Sequence, residues 1–262
     1  MLATHYVPLT AERHGGLMWQ RFTSYRFAQR WSQSPLAEQE IAQAAACLPI
    51  AFQQCEVGWQ AVALLGLTDT RNLLTDQQGR WLASYVPAAL RTHPFGLSKE
   101  APGELCIDES SDCVVERYDA EPLFNQEGRL ASFPREVMAF LQNWQRGCQA
   151  ISGKISLLDQ HKLLSSWCPK GYEGSAALYR VDEPAWNRLD AHTIGRLWKA
   201  GVIPLVYTQL LSQAQFANLH KAQALLEKQS PEERPRMQTS TKALDSLREA
   251  IDAQEEYHWP GQ

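Results

Sequence analysis

The chain has 262 residues, of which 44% are hydrophobic and 21% charged, with a formal net charge of -4. This composition excludes a disordered chain and predicts a water-soluble globular protein, because a chain of this length can bury enough apolar surface to form a core. The longest apolar run, Ala61–Leu67, is far shorter than the ~20 residues of a membrane helix. Met1–Tyr6 lack the pattern of a secretory signal, so we expect a cytoplasmic location, and the mild negative charge gives no reason to expect a nucleic-acid partner.

Residues 1–33 are predicted to form an irregular N-terminal arm. Four arginines and five aromatic residues lie in it between Arg13 and Trp31, without an acid after Glu12: Arg13, Arg21, Arg26, Arg30, Trp19, Phe22, Tyr25, Phe27 and Trp31. Such a segment is able to contact a phosphate backbone or stack on a base. The alternative, which we favour, is that the aromatic side chains pin the arm to the core while the arginines stay in solvent.

The next residues are predicted to form a helix, two strands and a hairpin. Ser34 and Pro35 are typical of a helix start, which predicts a helix over 34–47. Pro49–Phe52 and Ala61–Leu67 are predicted strands, and the second is apolar enough to be buried on both faces. A turn ending in Gly79 predicts a hairpin over residues 72–84.

Four elements follow up to residue 167. Pro87 predicts a short helical turn that His93-Pro94 ends, since a residue before proline is disfavoured in a helix. A polar turn at 109–112 predicts a second hairpin, over 104–117. An apolar stripe that includes Phe140 and Trp144 predicts a helix over 133–150 capped by Ser132, and another helix is predicted over 154–167.

The last third of the chain is predicted to hold a strand–helix–strand unit, a helix and a tail. The predicted elements are a strand over 176–181, a helix over 191–200 capped by Asp190 and closed by Gly201, a strand over 202–211 and a helix over 214–228. Residues 229–262 are rich in charge and predict a tail that is partly helical or disordered. The fold class is therefore α+β, with a mixed or antiparallel sheet flanked by helices in a single domain over 34–228.

The sequence contains none of the common catalytic or cofactor motifs. It has no G-x-G-x-x-G, Walker A, G-x-S-x-G or H-E-x-x-H pattern, and its six cysteines show no C-x₂-C or C-x₄-C spacing. The seven histidines are scattered along the chain. We therefore assign no catalytic residue, no metal ligand and no cofactor, and we expect the cysteines to be reduced thiols.

Polar and aromatic residues are densest just before and after the predicted turn at Pro87. We predict a ligand-binding site formed by Trp81, Tyr85, Arg91, His93 and Phe95, together with Asp108. An arginine there is able to bind a carboxylate or phosphate through two hydrogen bonds, while the aromatic rings stack on a ring of the ligand. The alternative, which the residues alone favour, is that Arg91 caps the short helix and pairs with an acid such as Asp108, while Trp81 and Phe95 lie in the core.

Short segments between residues 5 and 220 resemble, in order and spacing, the SapC-like family of bacterial proteins. The segments are Leu48–Phe52, Leu64–Gly66, Asn72-Leu73, Gly79–Trp81, Tyr85–Arg91, Pro94-Phe95, Cys106–Asp108, Pro122–Phe124, Leu197–Gly201, Val206-Tyr207 and Leu210–Ser212. The family takes its name from a gene found at a surface-layer locus. The resemblance implies no catalytic residues.

The gene neighbourhood of this family implies an accessory role. Its members occur beside genes for TonB-dependent receptors, cupin-like oxygenases and tryptophan-halogenase-like flavoproteins, which implies uptake or use of a nutrient such as a glycan. We therefore expect a cytoplasmic accessory or binding protein with a protein partner or a small-molecule ligand. One alternative is an enzyme in which Arg91 anchors an anionic substrate and His93 or Tyr85 handles protons. A surface-layer-associated protein is the other, and the oligomeric state stays open.

Overall fold

Three antiparallel sheets and a set of helices form the part of the chain that the computed structural model describes, which is residues 6–98, 101, 103–117 and 119–228. The predicted tail, 229–262, lies outside these residues. The α+β class with antiparallel sheets flanked by helices is confirmed. Within the described residues, none of the helices is both long and apolar enough to cross a membrane.

The elements are numbered in chain order. The strands are β1 (Tyr6–Pro8), β2 (Met18–Trp19), β3 (Gln33–Leu36), β4 (Ile50–Cys55), β5 (Gly58–Leu64), β6 (Phe95–Leu97), β7 (Leu105–Asp108), β8 (Val114–Val115), β9 (Glu121–Pro122), β10 (Leu164–Ser166) and β11 (Tyr179–Val181). The α-helices are α1 (Ala11–His14), α2 (Ile41–Ala45), α3 (Ala88–Arg91), α4 (Ser132–Gln160), α5 (Glu183–Trp186), α6 (Ala191–Lys199), α7 (Ile203–Ser212) and α8 (Phe216–Lys228).

The largest sheet has the strand order β10-β11-β4-β5-β3. Its central hairpin pairs Ile50 with Ala63 and Phe52 with Ala61. All side chains from Ala61 to Leu64 are buried, because α4 packs against β5. The continuous apolar run therefore forms a strand covered on both faces, as predicted.

A second core lies around the two smaller sheets, β1-β7-β6 and β8-β2-β9. Its buried residues include Trp19, Phe95 and Ile107. Helix α4 is about 43 Å long at 1.5 Å per residue, and it contributes Leu141 to this core and Ile151 to the larger one. The two cores therefore share one helix.

Residues 6–33 contribute to both cores. Strand β2 is the central strand of the sheet β8-β2-β9, and Trp19 is buried. Phe27 and Trp31 are half-buried against the larger core, whereas the four arginines of this segment are exposed. Their positions agree with the interpretation in which aromatic side chains hold this segment to the core.

The predicted helix start at Ser34 is wrong. Gln33–Leu36 form the edge strand β3, which pairs with β5 and places Pro35 opposite Val62. An edge strand tolerates proline because one side of the strand needs no backbone donor. The helix in this region begins only at Ile41, after a 3-10 turn at Glu38–Glu40.

The predicted strand over 202–211 is also wrong, since these residues form α7. The buried side chains of α7 are Leu205, Val206, Gln209 and Ser212, a spacing that describes one face of a helix. Pro204 at the start of α7 suits the first turn of a helix. The predicted strand–helix–strand unit therefore does not form, although the cap at Asp190 is confirmed by its hydrogen bond from the Thr193 N–H.

Two further predictions fail in the middle of the chain. The strands of the predicted hairpin over 104–117 belong to different sheets, because β7 pairs with β1 and β6 while β8 pairs with β2. The two helices predicted over 133–150 and 154–167 merge into one helix, α4, which starts at Ser132 rather than being capped by it and ends at Gln160. The end of the second predicted helix is wrong, because Leu164–Ser166 form strand β10. Gly153 does not interrupt α4, since one glycine costs a helix only about 1 kcal/mol.

Gly66, which follows β5, is expected to tolerate no side chain. A Cβ at this position would overlap the carbonyl oxygen of Arg71, which is backbone and cannot turn away. We expect Gly66→Ala to lower the free energy of unfolding by about 2 kcal/mol, as overpacking does. Urea denaturation followed by circular dichroism measures the change.

Gly153→Ala is the matched control for this substitution. A Cβ at Gly153 meets nothing within 4 Å, so the exchange should stabilise α4 by up to about 1 kcal/mol. Equal effects of the two substitutions would contradict the proposed overlap at Gly66.

Candidate functional site

The structure divides the six residues of the predicted site into two groups. Tyr85 and Arg91 line a shallow cleft between α3 and α4, and Trp81 lies beside it. His93, Phe95 and Asp108 are buried and do not line this cleft. The six side chains therefore do not form one pocket.

A buried carboxylate, that of Glu40, forms the floor of the cleft. Glu40 is 5% exposed and accepts four hydrogen bonds. The indole Nε1 of Trp144 and the backbone N–H of Ala37 donate to Oε1, at 2.8 and 3.0 Å. The hydroxyl of Tyr85 and the backbone N–H of Ala88 donate to Oε2, both at 2.8 Å. We call Glu40 and these four donors the Glu40 network.

The Glu40 network joins elements that are far apart in the chain. Glu40 ends the 3-10 turn before α2, and Trp144 is 104 residues away on α4. Ala88 is the first residue of α3, where a backbone N–H has no partner within the helix and a carboxylate is a favourable acceptor. Pro87 precedes it in an extended conformation that turns the chain into α3. The network therefore sets the position of α3, which ends at Arg91.

Arg91 is exposed at the rim of the cleft, between two aromatic rings. Its guanidinium carbon lies 5.8 Å from the ring centroid of Tyr85 and 5.9 Å from that of Phe140. Its Nη2 donates a hydrogen bond of 3.4 Å to the Tyr85 hydroxyl. In the described part of the chain no carboxylate forms a salt bridge with Arg91, so the alternative pairing with Asp108 is not formed. Most of the five guanidinium donors therefore remain available to a ligand.

The cleft has a volume of about 110 Å³, and its lining combines apolar side chains with polar ones. It is lined by Ala37, Gln39, Glu40, Gln43, Tyr85, Ala88, Arg91, Phe140, Asn143 and Trp144. Three of these carry side-chain amides, which donate and accept hydrogen bonds. Burial and the neighbouring Glu40 raise the pKa of the Tyr85 hydroxyl, so this group stays protonated at neutral pH. The arrangement is suited to binding an anion next to hydroxyl or amide groups.

Trp81 supports the cleft from outside. Its indole Nε1 donates a 2.9 Å hydrogen bond to the carbonyl oxygen of Tyr85, and its ring centroid lies 5.5 Å from that of Tyr25. Trp81 is half-buried against the larger core. Its contacts therefore hold the segment that presents Tyr85.

His93 lies in an aromatic environment next to the cleft segment. Its ring stacks on Phe27 with a centroid distance of 3.8 Å, and its Nε2 lies 2.7 Å from the hydroxyl oxygen of Ser111. The Nδ1 atom is buried without a hydrogen-bond partner. Burial lowers the pKa of His93 to about 4, so the ring is neutral at pH 7.

Phe95 and Asp108 also make contacts inside the protein rather than lining the cleft. Phe95 is in the second core, 6.0 Å from the ring of Trp19. The Oδ1 atom of Asp108 accepts hydrogen bonds from the backbone N–H and the hydroxyl of Ser110. In the described residues no group of three or more His, Cys, Asp or Glu side chains could hold a metal ion.

Three residues of the cleft, Glu40, Phe140 and Trp144, were not among those of the predicted site. Phe140 and Trp144 are one turn apart on the predicted apolar face of α4, and the exposed fraction of Phe140, 41%, is what distinguishes it from a core residue. Glu40 lies in an alanine-rich stretch, where a glutamate is typical of a solvent-facing helix position. The hydrogen bond between Trp144 and Glu40 joins residues 104 positions apart, and a single sequence contains no local pattern that predicts such a contact.

The comparison with known protein families gives one result. The model of the SapC family matches residues 9–219, which includes every residue that lines the cleft. No curated protein and no solved structure matches the chain. Because the match covers well over half of the sequence, the chain belongs to the SapC family.

Proposed function

We propose that this SapC-family chain is an accessory binding protein whose cleft takes the anionic end of a small molecule. The observation that carries the proposal is the state of Arg91. This guanidinium is exposed, lies between the rings of Tyr85 and Phe140, and has no acidic partner among the described residues. A positioned arginine without a carboxylate is the side chain best suited to bind a planar anion through two hydrogen bonds.

The other cleft residues support a hydroxyl-rich ligand. The amides of Gln39, Gln43 and Asn143 line the cleft beside the ring of Phe140. Amide groups next to an aromatic ring match a sugar, which presents hydroxyl groups at its edge and C–H groups on its face. A sugar that carries a carboxylate or phosphate would use Arg91 as well. We therefore propose an acidic sugar as the ligand class.

The size of the cleft limits how much of the ligand it takes. Its volume of about 110 Å³ is well below the ~300 Å³ at which pockets enclose a drug-sized molecule. The charged end of the ligand would bind Arg91 at the rim of the cleft, and the remainder would stay in solvent or contact a partner protein. This arrangement supports a role in handing over or sensing a ligand rather than enclosing it.

The family resemblance supports the proposed cellular setting. We propose a cytoplasmic role in the uptake or use of a nutrient such as a glycan. The partners would be a TonB-dependent receptor, a cupin-like oxygenase and a halogenase-like flavoprotein. An acidic sugar as ligand agrees with this setting, since glycans release such sugars when they are degraded.

Titration calorimetry with paired acidic and neutral sugars tests the proposed function. A uronic acid or a sugar phosphate is expected to bind, and its neutral counterpart to bind at least about tenfold more weakly, because it lacks the group that pairs with Arg91. Arg91→Ala should weaken binding of the acidic sugar by about tenfold or more, whereas Trp81→Ala should have a smaller effect.

Arg146→Ala is the matched control, because Arg146 is an exposed arginine on α4 outside the cleft. It should leave the affinity unchanged. Equal binding of acidic and neutral sugars, or an affinity that Arg91→Ala leaves intact, would show that Arg91 is not the anchor.

A further inference from the structure

A second cavity, larger than the cleft, lies beside strands β2 and β9. Its volume of about 330 Å³ is three times that of the cleft and reaches the ~300 Å³ at which pockets take small molecules. Its lining comes from residues 19–21, residues 119–121 and Phe133, none of which lines the cleft. We call this space the β2–β9 cavity.

Two stacked aromatic rings line the β2–β9 cavity. Trp19 on β2 and Phe133 on α4 stack with a centroid distance of 4.0 Å and an angle of 14° between the ring planes. Trp19 is buried, and Phe133 is half-buried against the second core. Because packing holds both side chains in place, they offer a ligand an apolar surface that needs little ordering on binding.

Strand pairing places charged residues next to these rings. Trp19 of β2 lies directly opposite Glu121 of β9, and the side chains of two directly opposite residues are neighbours on one face of an antiparallel pair. Arg21 comes two positions after Trp19, Asp119 comes two positions before Glu121, and both line the same cavity. The lining therefore combines one guanidinium and two carboxylates with the aromatic rings.

Two of these three charged groups have no salt-bridge partner in the described part of the chain. Both carboxylate oxygens of Asp119 accept hydrogen bonds from the guanidinium of Arg117, so the charge of Asp119 is compensated. Arg21 and Glu121 form no salt bridge with each other or with another described residue. One cationic and one anionic group of the cavity are therefore available to a ligand.

We propose that the β2–β9 cavity binds the zwitterion of a free amino acid with an aromatic side chain. The carboxylate of the amino acid pairs with Arg21 and its ammonium group with Glu121, while its ring lies against the two stacked rings. A phosphate-bearing ligand such as a nucleotide fits less well, because the carboxylates of Asp119 and Glu121 repel it. The two sites share no residue, so an amino acid here and an acidic sugar in the cleft are separate ligands.

Titration calorimetry with L-phenylalanine and two analogues tests this proposal. 3-Phenylpropionate lacks the ammonium group, and phenethylamine lacks the carboxylate. Each analogue is expected to bind at least about tenfold more weakly than L-phenylalanine, because each loses one hydrogen bond between charged groups. The proposal would be overturned if L-phenylalanine did not bind, or if either analogue bound as tightly as the amino acid.

Substitutions at the two available charges locate the site. Arg21→Ala and Glu121→Gln should each weaken the binding of L-phenylalanine by about tenfold, and circular dichroism should show an unaltered fold because both positions are exposed. Arg30→Ala and Glu116→Gln are the matched controls, since both residues are exposed outside the cavity, and they should leave the affinity unchanged. An affinity that either Arg21→Ala or Glu121→Gln leaves intact would overturn the proposal.

Discussion

Replacing Glu40 with leucine is expected to lower the free energy of unfolding by about 3 to 4 kcal/mol. The Glu40 carboxylate is the acceptor for the backbone N–H groups of Ala37 and Ala88, the Tyr85 hydroxyl and the Trp144 indole. A leucine fills the space but leaves these donors without a partner, and each buried unpaired donor costs about 1 to 3 kcal/mol. Because the cleft is open to solvent, water can pair with some of these donors, and the total loss is then smaller than the sum of the four separate costs. Urea denaturation measures the loss.

Two further variants distinguish the loss of hydrogen bonds at Glu40 from the change in side-chain volume. Glu40→Gln keeps one acceptor oxygen and should lose less stability than Glu40→Leu, whereas Tyr85→Phe removes a single donor and should cost about 1 kcal/mol. Gln43→Leu is the control, because Gln43 is an exposed neighbour on α2 and the substitution should change stability by less than about 0.5 kcal/mol. If Glu40→Leu and Gln43→Leu had the same free energy of unfolding, the hydrogen bonds of the Glu40 network would not contribute to stability.

The Glu40 network also connects stability to the proposed binding site. Glu40 holds both Tyr85 and the start of α3, and α3 carries Arg91 at its end. The Tyr85 hydroxyl donates to Glu40 and accepts from Arg91, so the carboxylate orients the guanidinium through one intermediate group. A variant that loses the network is therefore expected to lose the position of Arg91 as well as stability.

The elements that the sequence predicts correctly are those with a local physical cause. The apolar run at Ala61–Leu64 forms a buried strand, Asp190 caps α6, and Pro87 and His93-Pro94 bound the short helix α3. Each depends on residues within a few positions of one another. The wrong predictions depend on distant partners instead. Whether β7 pairs with β8 or with β1 is decided by the packing of the whole chain, and no feature of 104–117 reveals it.

The site was predictable only in part, for the same reason. Tyr85 and Arg91 were identified because an arginine among aromatic residues is a recognisable local pattern. His93 and Phe95 are equally close in sequence, but their side chains enter the core around Phe27 and Trp19. Glu40 and Trp144 reach the cleft from other elements, so only the folded chain brings them to Tyr85.

Protein stability is expected to fall by about 3 kcal/mol between pH 6.5 and pH 4 because of His93. Burial lowers the pKa of this ring to about 4 in the folded state, whereas an unfolded chain protonates the ring near pH 6.5. Above pH 6.5 the ring is neutral in both states, so the stability is fully present. Between the two values the unfolded state binds a proton that the folded state does not, and the free energy of unfolding therefore decreases as the pH falls. Urea denaturation across this range measures the slope.

The surroundings of His93 explain why the folded state resists this proton. A protonated ring needs two hydrogen-bond acceptors, but Nδ1 is buried without a partner and only Nε2 has one, the Ser111 hydroxyl. His93→Phe keeps a ring for stacking on Phe27 and cannot be protonated, so its stability should depend less steeply on pH than that of the unaltered chain. His192→Gln, at an exposed position of α6, should keep the original slope. A slope that His93→Phe leaves unchanged would assign the pH dependence to the carboxylates, which titrate in the lower part of the same range.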